Sequence, residues 1–116
     1  MKTYRDLIAW QKAIILVSET YKATADFPKD EIYGLTNQMR RAAVSIPSNL
    51  AEGFGRNSKA EMARYANIAM GSLFELQTQL EIAKNLGYLN DQDCQSLTDL
   101  TREEERILSA FIKSIT

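Results

Sequence analysis

Seven apolar residues, Met62, Ala66, Ala69, Leu73, Leu76, Leu80 and Ala83, follow one another in steps of four and three without a miss. That period lines all of them along one side of an α-helix, whereas a strand would scatter them over both of its faces. Such a stripe needs other helices to cover it, because an isolated helix is marginal in water. Small residues come early and leucines late, so the packed neighbour should approach most closely at Ala66 and Ala69. Ser58-Lys59-Ala60-Glu61 reads as a capping box that opens this helix. Gly87 closes it.

Three further segments carry helical spacing. From Tyr4 to Thr24, the residues Leu7, Trp10, Ile14, Val17 and Tyr21 form a stripe, which Phe27-Pro28-Lys29-Asp30 interrupts with a turn. A second helix starts between Asp30 and Gly34, with Ile32, Leu35, Met39, Ala42 and Ile46 as its stripe. Pro47 falls inside that pattern, where it removes a backbone bond and costs about 3 kcal/mol in a regular helix. A kink is expected there, with helix resuming over Ser48 to Gly53, and Gly53-Phe54-Gly55 supplying left-handed geometry at the end.

Asn90, followed by Asp91 and Asp93, caps a fourth helix whose stripe is Leu97, Leu100, Ile107, Phe111 and Ile115. Glu104 is expected to border this wide stripe and not to enter the core as the partner of an arginine. The connections are short, so successive helices should run antiparallel. The fold expected is all-α, an antiparallel up-and-down four-helix bundle kinked at Pro47, in a single domain over residues 1–116.

The chain contains no histidine, which removes the commonest general acid/base and metal ligand. Gly53-Phe54-Gly55-Arg56 follows no strand and lacks the third glycine of a dinucleotide fingerprint. Asp91 and Asp93 lack the glycine and late glutamate of a calcium loop, so they read as capping residues. Cys94, the single cysteine, closely follows Asp91 and Asp93, which oppose a thiolate, and reads as a packing residue. No catalytic residue, metal or cofactor is expected. No apolar run approaches the roughly 20 residues of a membrane span, and a cytoplasmic, non-enzymatic protein is the expectation.

Net charge is only -1, but its distribution is uneven. Arg40, Arg41, Arg56, Lys59 and Arg64 face two acids, Glu52 and Glu61, in the middle of the chain, while the stretch from Glu75 to Glu105 is acidic. These five cations are the candidate phosphate-binding residues for RNA or DNA. No aromatic series interleaves with them along the sequence, so electrostatics without base stacking is expected. Asn37, Arg41, Ser45, Ser48 and Glu52 fall in steps of four, four, three and four and form a polar line on the second helix, with Asn49 beside it. It reads as a solvated face, a polar seam between protomers, or part of the basic surface.

The run Gly34-Leu35-Thr36-Asn37-Gln38-Met39-Arg40-Arg41-Ala42-Ala43-Val44-Ser45-Ile46-Pro47-Ser48-Asn49-Leu50-Ala51-Glu52-Gly53-Phe54-Gly55-Arg56 carries a family resemblance. So do Ala69-Met70-Gly71-Ser72-Leu73-Phe74-Glu75-Leu76-Gln77-Thr78-Gln79-Leu80 and Gly87-Tyr88-Leu89, with Asp6-Leu7, Trp10-Gln11-Lys12-Ala13 and Phe27-Pro28 at the start. Together they resemble the four-helix-bundle proteins named after open reading frames in intervening sequences of bacterial 23S ribosomal RNA genes. The resemblance implies a ring, usually a homopentamer. It also implies kinship with the accessory variability protein of diversity-generating retroelements, a basic pentamer that binds nucleic acid and partners a reverse transcriptase. The present chain departs from that protein in being slightly acidic, which weakens long-range attraction for nucleic acid.

The function expected is therefore a homo-oligomeric bundle, pentameric by resemblance, serving as a nucleic-acid or ribonucleoprotein accessory. The alternative is a structural scaffold that holds a protein partner. Self-association is anticipated because Ile8, Ile15, Ile68, Ile82 and Ile112 fall outside the main stripes.

Overall fold

The computed structural model describes residues 2–116. A short 3-10 turn, Tyr4–Asp6, leads into α1 (Ile8–Thr24), and a second, Lys29–Glu31, precedes α2 (Leu35–Phe54). The chain then forms α3 (Lys59–Asn85) and α4 (Asp91–Ile115), with no strand among the described residues. Each helix packs on its sequence neighbour and α1 closes against α4, while α1 with α3 and α2 with α4 lie across the diagonals. This is the antiparallel up-and-down four-helix bundle expected from the spacing, 42 Å long and about half as wide.

The stripe of α3 is the one the sequence displays: Met62, Ala66, Ala69, Leu73, Leu76, Leu80 and Ala83 are all buried. In α2, Leu35, Met39, Ala42 and Ile46 are buried as expected, and the helix runs unbroken through the buried Pro47. Ile32, in contrast, lies outside the helix and is exposed. α1 is rotated by about one position from the expected stripe. Its buried line is Ala9, Ala13, Leu16, Thr20 and Thr24, with Ile14 and Tyr21 pushed to the surface. Thr20 and Thr24 tolerate burial because each hydroxyl donates to a carbonyl one turn back, at 2.7 and 2.9 Å. α4 departs further. Its buried line is Cys94, Leu97, Thr101, Glu104 and Leu108, so Glu104 stands inside the core and does not border it.

The connections follow backbone chemistry. Gly87, at φ 77°, ends α3 with two bonds, Gly87 N to the Lys84 carbonyl and Tyr88 N to the Ala83 carbonyl, both at 3.0 Å. This is a Schellman closure. Between α2 and α3 the left-handed residue is Asn57, at φ 55°, and Gly55 stays right-handed at φ -74°. Gly53 serves close approach: a Cβ there would lie 2.7 Å from the Tyr65 Cβ and 3.2 Å from the Met62 sulfur. Ser58 accepts from Glu61 N at 3.2 Å, but the returning half of the capping box is absent because Glu61 turns toward Arg64. Asn90 caps α4 by accepting from Asp93 N at 2.8 Å. The two connections at one end of the bundle are tied together by Tyr88, whose hydroxyl donates to Glu31 at 2.9 Å while its ring meets Phe27. That carboxylate raises the Tyr88 hydroxyl above the ordinary tyrosine value.

Candidate functional site

The five candidate phosphate ligands do not form one patch. Arg40 and Arg41 sit on the first half of α2, and Arg56, Lys59 and Arg64 sit around the α2–α3 turn, on the order of 20 Å further along the helix axis. Arg40 is half-buried and held in place. Its Nε donates to the Thr24 hydroxyl at 2.9 Å, and its guanidinium lies 4.6 Å from the centre of the Tyr21 ring. Arg56 pairs with Glu52 at 3.0 Å and donates to the Tyr65 hydroxyl at the same distance. Arg64 approaches Glu61 at 3.9 Å. Arg41 and Lys59 are exposed and have no ion-pair partner among the described residues.

Tyrosines lie beside both basic groups, which the linear sequence conceals. Tyr21 supports Arg40, and the Tyr65 ring lies within 5.3 and 5.1 Å of the Arg56 and Arg64 guanidinium carbons. Tyr21 and Arg40 are neighbours only because α1 and α2 run antiparallel.

The polar line of α2 splits in the same way. Ser45 and Ser72 share a hydroxyl–hydroxyl bond of 2.8 Å across the α2–α3 contact, and Asn49 donates to the Ser45 carbonyl and hydroxyl at 2.8 and 2.9 Å. These residues join helices within the chain. Glu52 is engaged with Arg56, while Asn37 and Ser48 face solvent.

An open groove of about 710 Å3 lies between α1 and α2. Tyr21, Ile32, Tyr33 and Val44 supply its apolar surface, Arg40 and Arg41 its charge, and no acid lines it. Tyr33 is 93% exposed, an unusual state for so large a side chain, and Ile32 beside it is 51% exposed. Ile32 was expected in the core and Tyr33 carried no periodic signal, so sequence reasoning did not find this surface.

The remaining anomaly is Glu104. It is 1% exposed, and neither carboxylate oxygen has a hydrogen-bond partner among the described residues. Burial, reinforced by the charge of Glu103 and opposed by Lys12, raises its carboxyl from 4.5 to about 8. Among the described residues no three potential ligands gather as a metal site requires, and no helix is long and apolar enough to cross a membrane.

The sequence profile of the family described as 23S rRNA-intervening sequence protein matches residues 5–110. None of the curated proteins matches the chain significantly. Among solved structures, a crystal structure described as a protein with unknown function from the S23 ribosomal protein family of Bacteroides thetaiotaomicron VPI-5482 aligns with a TM-score of 0.82 at 21% identity. The alignment covers 91% of this chain and 96% of that one. At that identity the likeness speaks for the fold.

Proposed function

The chain belongs to the 23S rRNA-intervening sequence protein family, and from that premise we propose that it works as a non-catalytic, self-associating bundle, an assembly component whose binding surface is completed by other copies of itself. One observation carries this reading: Tyr21, Ile32, Tyr33 and Val44 cluster at the α1–α2 groove with their side chains open to water. A clustered apolar surface rimmed by arginine and asparagine has the composition of a contact face, rich in tyrosine and arginine. Ile8, Ile15, Ile68 and Ile82 add exposed apolar area elsewhere on the outer surface. The count of five rests on the family resemblance.

The non-catalytic part of the reading is supported by the absence of histidine and by the position of the one strongly shifted carboxyl. Glu104 is sealed in the core, where no substrate reaches it. Light scattering on a size-exclusion column, run over a concentration series, tests self-association. A monomer throughout the micromolar range would remove it.

A ribonucleoprotein or nucleic-acid accessory role is the second reading, favoured by the free cations Arg41 and Lys59 and by the tyrosines beside both basic groups. In this role the oligomer repeats a weak local patch several times, and avidity replaces local charge. Retardation of RNA at low salt tests it separately.

A further inference from the structure

We propose that Glu104 is a proton-operated latch on the α1–α4 seam: with its carboxyl protonated the seam stays shut, and loss of that proton lets α1 lift from α4 until water reaches the carboxylate.

The seam is where the bundle can part most easily. The first and last helices are the one adjacent pair that no short connection joins, so side chains alone hold α1 to α4. Among the described residues the single polar contact between them is Lys12 to Glu103 at 3.5 Å, with both side chains partly exposed. Such a pair holds weakly. Ala9 and Ala13 supply half of the apolar side chains that α1 buries along with Leu16 and two threonines, so the apolar grip is small. On its other flank α1 is fixed to α2 by Arg40, which reaches Thr24 and Tyr21.

Glu104 lies beside that weak clasp, next in sequence to Glu103, sealed from solvent and with neither oxygen partnered among the described residues. The cation that α1 brings near it is Lys12, already engaged by Glu103, while Glu19 is met by Lys22. From α3 the one buried polar side chain is the neutral Gln79, Glu75 and Glu81 are exposed, and Gln77 donates to Glu105. Across the diagonal, Arg40, Arg41 and Glu52 of α2 stay outside the core, and Asp99 and Arg106 are exposed on the groove above the seam. An ionised Glu104 thus has no cation of its own.

Protonated, the group is neutral and the core tolerates it; ionised, it makes two carboxylates on consecutive residues that share one lysine. Burial, reinforced by Glu103 and opposed by Lys12, keeps the proton on Glu104 up to about pH 8. Parting the seam hydrates the carboxylate while giving up one exposed ion pair and the contacts of small side chains. Opening therefore releases a proton, and its equilibrium constant should rise about tenfold per pH unit from about 4.5 to about 8 and level off above.

Amide hydrogen exchange of the full chain at pH 6 and pH 8, expressed as protection factors so that the pH dependence of intrinsic exchange cancels, reads this opening. Protection over Ala9 to Leu16 should fall at least tenfold between the two conditions. At pH 8 it should also lie at least tenfold below that of Ala43 and Leu73, buried on α2 and α3. Glu104→Gln, which cannot ionise, should hold the protection of α1 constant. Equal protection of α1 and the α2–α3 contact at pH 8 would mean that the whole bundle unfolds together, and would overturn the latch. A pH-independent α1 in the parent chain, or a glutamine variant that falls as the parent does, would overturn it as well. One check needs no substitution: among the carboxyl-carbon resonances of the parent chain, one glutamate should titrate near pH 8. If every glutamate titrates near the ordinary value of about 4.3, Glu104 already meets water in the closed bundle and the inference falls.

Discussion

Glu103 and Glu104 are consecutive residues of α4 whose carboxylates meet opposite surroundings. Glu103 reaches Lys12 across the α1–α4 seam at 3.5 Å in contact with solvent, while Glu104 points into the core without a hydrogen-bond partner among the described residues. One helical step of about 100° separates a surface ion pair, worth at most about 1 kcal/mol, from a buried polar group that is costly to leave unpaired.

The first prediction follows from the sign of that cost. Burial raises the Glu104 carboxyl from 4.5 in the open chain to about 8 in the bundle, so the folded state holds a proton that the unfolded state has lost. The contribution of this group is fully present below about pH 4.5 and declines by about 1.4 kcal/mol per unit until about pH 8. Urea denaturation at successive pH values should show this slope in the parent chain and lose it in Glu104→Gln. Glu104→Leu should exceed the parent chain by about 1–3 kcal/mol near pH 4.5, because it removes a buried polar group that has no partner, and the margin should widen along the same slope toward pH 8. A parent chain equally stable at pH 5 and pH 8 would contradict the assignment.

Two glycines should respond to alanine in opposite directions. At Gly53 the new Cβ meets the Tyr65 Cβ at 2.7 Å, and helices α2 and α3 must separate to admit it. Overpacking of this kind costs about 1–3 kcal/mol, more than the roughly 1 kcal/mol that alanine gains in helix propensity. Gly71 lies in the middle of α3 with nothing within 4 Å of the same position, so Gly71→Ala should stabilise the isolated protomer by about 0.5–1 kcal/mol. Chemical denaturation of the two variants at low protein concentration compares them directly.

A third prediction concerns the polar contact between α2 and α3. Ser45→Ala leaves the Ser72 hydroxyl and one bond of the Asn49 amide without their partner, and should cost about 1 kcal/mol. Ser72→Ala should cost less, since Asn49 still holds Ser45. In a double-mutant cycle the pair should couple by about 0.5 kcal/mol or more, and additive effects would show that water replaces the bond freely.

How much of this was legible in the sequence depends on the helix. α3 could be read outright because its apolar residues keep a strict heptad and all of them are buried. α1 could not, because pattern reading favours large side chains. Here alanines and self-satisfied threonines line the core while Ile8, Ile14 and Ile15 face outward. Glu104 was assigned to the border because a carboxylate in a core is rare. The candidate site was hidden for another reason. Arg40 meets Tyr21 across the α1–α2 contact, a proximity set by helix pairing, and Tyr33 sits in a connection where no periodicity marks it.

The last prediction separates arginines that build the protein from cations that could meet phosphates. Arg40 is committed to Thr24 and Tyr21, so Arg40→Ala should lower stability by about 1 kcal/mol and shift the thermal transition whether or not nucleic acid is bound. Arg56 and Arg64 already face Glu52 and Glu61, and their removal should change binding little, because each carries its own neutralising charge. Arg41 and Lys59 are the cations free to displace counterions. If the bundle binds RNA, replacing both with alanine should flatten the dependence of log affinity on log salt by about two contacts per protomer engaged, while leaving the thermal transition in place. Unrelated RNA sequences should weaken alike, since phosphate contacts carry no sequence information. Equal losses from all five substitutions would mean that the intramolecular pairs open on binding. No retardation of RNA by the parent oligomer at low salt would leave assembly as the work of this surface.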